Sequence, residues 1–132
     1  MTTPRSPSAT LLSCVDAFNK RDASAAAAMA DDRALFEIPM LKPNRLHGRD
    51  EISRGIEAAF KELKSVELTV AKPAETDSVA ITEGRLKVTR NSAPDEDHQV
   101  GIVAEVHGDQ LVRFSLYLNA RNRRLWSDET IL

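Results

Sequence analysis

The chain has 132 residues, 42% hydrophobic and 29% charged, with a formal net charge of −2, which reads as a single domain, 1–132, able to bury a core of its own. That balance leaves no electrostatic footprint for nucleic acid or an anionic membrane surface, and no apolar run is long enough to span a bilayer. One cysteine excludes an internal disulfide framework and a zinc ribbon, and the polar Met1–Ser8 stretch lacks the apolar segment of a signal peptide, so a cytoplasmic protein is expected.

Residues 1–7 read as a flexible N-terminal segment leading into a helix start at Ser6-Pro7-Ser8. Ser6 can cap, and Pro7 suits the first helical position because its missing N–H would have no partner there. Leu11, Leu12, Val15 and Phe18 then repeat at helical spacing, with Cys14 on the adjoining edge. Asp22 can cap a second helix, Ala23 to Ala30, closed by Asp31-Asp32. Ala34 to Met40 reads as a short strand ended by prolines at 39 and 43. Asp50 and Glu51 favour a helix N-terminus, and Ile52, Ile56, Ala59, Phe60 and Leu63 form one apolar stripe, predicting a third helix over Asp50–Lys64.

From Val66 onward the period is two. Val66–Lys72, Val79–Arg90, Gln99–His107 and Leu111–Ala120 are predicted strands, separated by turns at Pro73–Asp77 and Asn91–Asp97. Residues 121–132 form a C-terminal tail in which Arg121, Arg123, Arg124 and Trp126 make a small basic cluster, read as a solvated tail with Trp126 docking. Helices followed by a run of strands predict an α+β fold, with helices packed on one face of an antiparallel sheet.

Three short runs, Ala28-Met29-Ala30-Asp31-Asp32, Phe36-Glu37-Ile38-Pro39 and His47-Gly48-Arg49-Asp50-Glu51-Ile52, together with this element order, resemble the SnoaL-like branch of the nuclear transport factor 2-like superfamily, and ketosteroid isomerase in particular. The resemblance covers nearly the whole chain. It implies a cone-shaped curved antiparallel sheet wrapped around three N-terminal helices, with an internal apolar cavity, and homodimers formed through the outer sheet face. Carried over by these motifs, the tyrosine of ketosteroid isomerase falls on Cys14, its aspartate base on Ile38 and its buried acid near Val103; in that enzyme the aspartate moves the substrate proton while the tyrosine and the protonated acid stabilise the enolate. None of the three replacements can do that chemistry. The acids that related cyclases and epoxide hydrolases place near the end of the last strand are also missing, since this chain reads Tyr117-Leu118-Asn119 there.

His107-Gly108-Asp109-Gln110 suits a two-residue type II′ turn. In that register Gly101, Val103, Glu105, Val112, Phe114, Leu116 and Leu118 share one face, and the resemblance puts Phe114, Leu116 and Leu118 in the cavity; a three-residue loop would shift the pairing by one and move Glu105 to the face opposite Val112. Val100, Ile102, Ala104, Val106, Leu111, Arg113, Ser115 and Tyr117 share the other face. Both are largely apolar, so two coverings are expected: helices and cavity on one side, a second subunit on the other through Val100, Ile102, Ala104, Arg113, Ser115 and Tyr117. The phases of Val79-Ala80-Ile81 and Leu86-Lys87-Val88 suggest a bulge near Gly84 that turns Leu86 inward.

Glu105 is the sharpest catalytic candidate: a carboxyl facing an apolar cavity would have a raised pKa and could act as general acid or base, whereas an outward one would reach solvent or pair with Arg85 or Arg113. His107 stands at the hairpin rim as a second candidate, His98 lies at the far end of the same strand, and His47 lies where relatives place the cavity mouth. The three histidines lack ligand spacing, so no metal is expected, and no cofactor. The expected ligand contacts are Cys14, Phe18, Ile38, Met40, Phe60, Leu86, Val103, Val112, Phe114, Leu116 and Leu118. The resulting expectation is a small hydrophobic ligand in an apolar cavity, held by a cofactor-independent isomerase, cyclase, dehydratase or hydrolase, or by a non-catalytic ligand-binding or dimeric interaction module.

Overall fold

The computed structural model describes residues 6–41 and 43–118; the Arg121–Trp126 cluster lies outside them. Helix α1 (Pro7–Asn19) begins where Ser6 Oγ accepts the Ala9 amide at 3.1 Å. Leu11, Cys14, Val15 and Phe18 bury one side of it, while Leu12, of the same apolar series, lies on the other at 43% exposure. Helix α2 (Ala23–Ala28) is capped by Asp22, which accepts the Ala25 amide. It ends earlier than its alanines predict because Ala30 already belongs to strand β1 (Ala30–Glu37). Asp31 and Asp32 therefore stand in a strand rather than closing a helix: Asp31 accepts the Arg33 amide and Asp32 pairs with Arg49 at 3.2 Å.

Strand β2 (Arg45–His47) is too short to announce itself by periodicity; it pairs antiparallel with the end of β1. Helix α3 (Gly48–Lys61) carries Asp50 and Glu51 in its first turn and Lys61 in its last, each on the side its charge favours. Strands β3 (Leu63–Val70), β4 (Ala74–Glu75), β5 (Val79–Arg90), β6 (Glu96–His107) and β7 (Gln110–Leu118) follow. The main sheet runs β2-β1-β7-β6-β5-β3, with β4 paired to β5. It is open, curved and mixed rather than wholly antiparallel, because β1 lies parallel to β7. Helix α1 packs against β3, β5 and β6, and α3 against β1, β2 and β3.

The last hairpin starts as expected. His107 pairs with Gln110, Val106 with Leu111, and Gly108 has the positive φ of +69° that a type II′ turn needs at its first central position. The ladder then slips: Glu105 pairs with Arg113, leaving Val112 as the extra residue of a bulge. One residue of slip exchanges the faces of β6. Val100, Ile102, Ala104 and Val106 turn inward and are buried with Phe114 and Leu116, while Gly101, Val103 and Glu105 turn outward. The expected dimer face thus loses Val100, Ile102 and Ala104 to the core; Arg113, Ser115 and Tyr117 stay on the outer side.

Strand β5 has no bulge at Gly84. Ala80, Leu86 and Val88 share one phase and are all buried, and Ile81 of the other phase is 50% exposed. Gly84 answers a different need: a Cβ there would collide with the Thr69 carbonyl, where β5 closes on β3.

Two side chains tie the helices to the strand edge. Asn19 Nδ2 donates to the Leu68 carbonyl at 2.9 Å and its Oδ1 accepts the Leu68 amide at 2.7 Å, so one side chain completes both backbone groups of a strand residue. Arg21, in the left-handed region at φ 56°, donates to the carbonyls of Phe60, Leu63 and Lys64 at and beyond the end of α3. Cationic donors at a helix C-terminus satisfy carbonyls that have no partner within the helix.

Candidate functional site: an apolar cavity with a charged rim

A cavity of about 530 Å³ opens between α3, β3 and β5. The apolar stripe of α3 supplies Ile56, Ala59 and Phe60. Val66 and Leu68 come from β3, Leu86 and Val88 from β5, and Leu116 from β7. Phe18 reaches in from α1, and Ile38, Met40 and Leu41 come from the turn after β1. This volume and lining suit a small organic molecule.

Six of the residues read from the sequence as ligand contacts line it: Phe18, Ile38, Met40, Phe60, Leu86 and Leu116. The others stand elsewhere. Phe114 is fully buried behind the cavity, its ring 5.6 Å from Phe18 and 5.3 Å from Phe36 between centroids. Cys14 is equally buried, and that burial pushes its thiol well above its ordinary pKa, which makes it an inert core residue. Val103 faces outward, Val112 is the bulge residue, and Leu118 borders a groove at the far edge of β6 and β7. His47 is an exposed residue at the N-terminus of α3, where its amide donates to Glu51 Oε1, and it does not line the cavity.

Glu105 is also displaced from the role expected of it. On the outer face its Oε1 accepts Arg113 Nη1 at 2.9 Å. Arg113 Nε donates to Ser115 Oγ at 3.0 Å and Nη2 to Tyr117 Oη at 2.6 Å. Ser115 in turn donates to Glu37 Oε1 at 2.7 Å, and that bond, with Arg45 and Arg113 nearby, holds the Glu37 carboxyl below the usual range. This network ties β1, β6 and β7 together away from the cavity. His107 is exposed at the hairpin tip.

The charged groups that line the cavity are Arg90 and Glu62, and Arg90 is held from a part of β6 that the alternation from Gln99 onward passes over. Leu86 pairs with His98 and Val88 with Glu96, and directly opposed residues share a face. His98 and Glu96 therefore stand on the inner side with the cavity wall. Glu96 Oε2 accepts Arg90 Nε at 2.6 Å, and Glu96 Oε1 lies 2.9 Å from His98 Nε2. Arg90 itself lines the cavity, as does Glu62 after α3. The bonds from His98 and Arg90 hold the Glu96 carboxyl below its ordinary pKa, so it stays an anion near neutrality. The signal was present in the sequence as the inward phase of Leu86 and Val88, but only the β5–β6 register connects it to residues 96 and 98. Among the described residues no group of His, Cys, Asp and Glu is arranged to hold a metal ion, and no helix is long and apolar enough to cross a membrane.

Residues 12–114 match the family model of the SnoaL-like domain. The chain belongs to the SnoaL-like family. Solved structures share this family fold at low sequence identity. A cystatin-fold protein from Novosphingobium aromaticivorans superposes with a TM-score of 0.73 at 17% identity, over 85% of this chain and 97% of its own. A ketosteroid isomerase-like protein from Catenulispora acidiphila, solved with trimethylamine, gives 0.74 at 14% identity over 88% and 86%. An epoxide hydrolase resembling the LEH type, from M. tuberculosis, gives 0.75 at 13% identity over 88% and 84%. No curated protein matches the sequence significantly. At such identities the SnoaL-like likeness speaks for the fold, and function has to be argued from the site.

Proposed function

We propose that this SnoaL-like protein binds a small hydrophobic molecule in the cavity between α3, β3 and β5. The observation that carries the reading is a wall of Ile38, Ile56, Leu68, Leu86, Val88 and Leu116 around about 530 Å³ of space, with charged groups confined to Arg90 and Glu62. Unfilled apolar volume forfeits packing, so its retention beside a well-packed core favours an occupant. As a catalyst the protein would belong with cofactor-independent isomerases, cyclases, dehydratases or hydrolases, the last being the activity named for its M. tuberculosis structural neighbour. Its charged groups at the cavity would be Arg90 and Glu62, with Glu96 and His98 holding Arg90 in place.

The test is calorimetric titration with butylbenzene. Saturable one-site binding is expected for the native chain and its loss in Ala59→Trp, which fills the cavity from α3. Absence of binding to the native chain would refute the reading.

A second reading, a dimeric interaction module, is favoured by one observation: Ile81 and Tyr117 remain 50% and 48% exposed on the outer sheet face. Pairing through that face and binding in the cavity are compatible. Sedimentation of the native chain against Tyr117→Asp tests it, with a shift from dimer to monomer expected.

A further inference from the structure

The apolar wall would accept almost any greasy molecule; the rim sets a narrower requirement. Arg90 lines the cavity and spends Nε on Glu96 at 2.6 Å. Among the described residues no partner takes its two Nη groups. Glu96 is in turn held from its other oxygen by His98 Nε2 at 2.9 Å. The guanidinium is thus fixed in place by a carboxylate that is itself fixed, and its remaining donors are left to the cavity side of the strand.

Charge decides what those donors suit. Arg90 is compensated by Glu96, and Glu62 brings a second carboxylate to the same cavity. The rim therefore has no surplus positive charge for an anionic ligand, and a carboxylate would meet Glu62 and Glu96. A neutral carbonyl oxygen accepts from a guanidinium without that repulsion. An uncharged ligand with no acceptor would gain nothing from the Nη donors, which stay partly open to water.

From this geometry we infer that Arg90 is the specificity-determining contact of the cavity, and that it selects an uncharged apolar molecule carrying a carbonyl oxygen. Glu96 and His98 are positioning residues that act through Arg90. The inference deepens the ligand-binding reading and rests on it.

Three ligands of nearly one shape separate the possibilities: butylbenzene, benzylacetone and hydrocinnamate, which place a methylene, a ketone or a carboxylate at the same point of one skeleton. Their affinities are compared by calorimetry for the native chain, Arg90→Met and Glu96→Gln. Arg90→Met is expected to weaken benzylacetone by about tenfold or more while leaving butylbenzene unchanged or tighter. Retained butylbenzene binding also shows that the variant is folded. Glu96→Gln is expected to weaken benzylacetone several-fold, again sparing butylbenzene, a split that general destabilisation would not produce; it carries the test on its own if Arg90→Met does not fold. Native protein is expected to bind hydrocinnamate more weakly than benzylacetone. Equal effects on ketone and hydrocarbon, or a native preference for hydrocinnamate, overturn the role of Arg90 and leave the ligand-binding reading standing. A native chain that binds neither butylbenzene nor benzylacetone overturns both.

Discussion

Glu105 lies directly across the last hairpin from Arg113, whose Nη1 donates to its carboxylate at 2.9 Å on the sheet face away from the cavity. This pairing removes the carboxylate that an uninterrupted register would have aimed at a ligand. Glu105→Gln is expected to leave cavity binding unchanged. Both partners are about a third exposed, so the stability loss is expected to stay near or below about 1 kcal/mol. Parallel calorimetric and urea-denaturation measurements on the variant check both statements.

The same slip changes what Ile102 does. At 1% exposure it packs inward, across from Leu116. Ile102→Asp places an unpaired carboxylate in the core and is expected to prevent folding, at a cost of several kcal/mol. Tyr117→Asp, on the outer face, is expected to fold. Circular dichroism distinguishes the two, and a well-folded Ile102→Asp protein would contradict the observed register.

Cys14 is enclosed among core side chains, and its burial disfavours the thiolate. A thiol-specific chromogenic reagent is expected to leave the native protein unlabelled at neutral pH and to label it on addition of denaturant, at the rate of unfolding. Rapid labelling of native protein would place Cys14 within reach of solvent and against the described packing.

Glu37 and Glu96 both have carboxyls held below their ordinary value of 4.5. A folded-state pKa below the unfolded one gives stability that is present above pH 4.5 and is lost as the pH falls through the lowered folded values. Denaturation midpoints are therefore expected to fall across that acidic window. Glu96→Gln is expected to be less stable than the native chain near neutrality and to lose less as acid is added. A steeper acid loss in Glu96→Gln would contradict the ion cluster.

The helix starts were legible because their signals are local, but two ends were not: Ala30, and Leu63 with Lys64, read as helical, already belong to β1 and β3. Ser6-Pro7 and Asp22 cap where their side chains predict, and the spacing of Ile52, Ile56 and Phe60 carries the face of α3 onto the cavity. The strand run was legible from its period of two; Leu86, Ile38 and Phe18 line the cavity, Leu86 without the bulge at Gly84 that was expected to turn it. What escaped was non-local. The bulge at Val112 leaves the turn chemistry of Gly108 intact, so nothing near the turn betrays it, yet it reverses Val103 and Glu105. The parallel pairing of β1 with β7 joins opposite ends of the domain. The Arg90–Glu96–His98 cluster straddles a turn, and the ladder that brings it together extends three residues beyond the alternation visible from Gln99 onward.

The apolar space between α3, β3 and β5 is proposed to hold a ligand. This is tested most directly by nuclear Overhauser contacts from bound butylbenzene to the methyl groups of the protein. Contacts are expected to Ile38, Ile56, Leu86 and Leu116 and none to Val103. Contacts confined to Val103 and its outer-face neighbours, or no contacts at a saturating concentration, would contradict it.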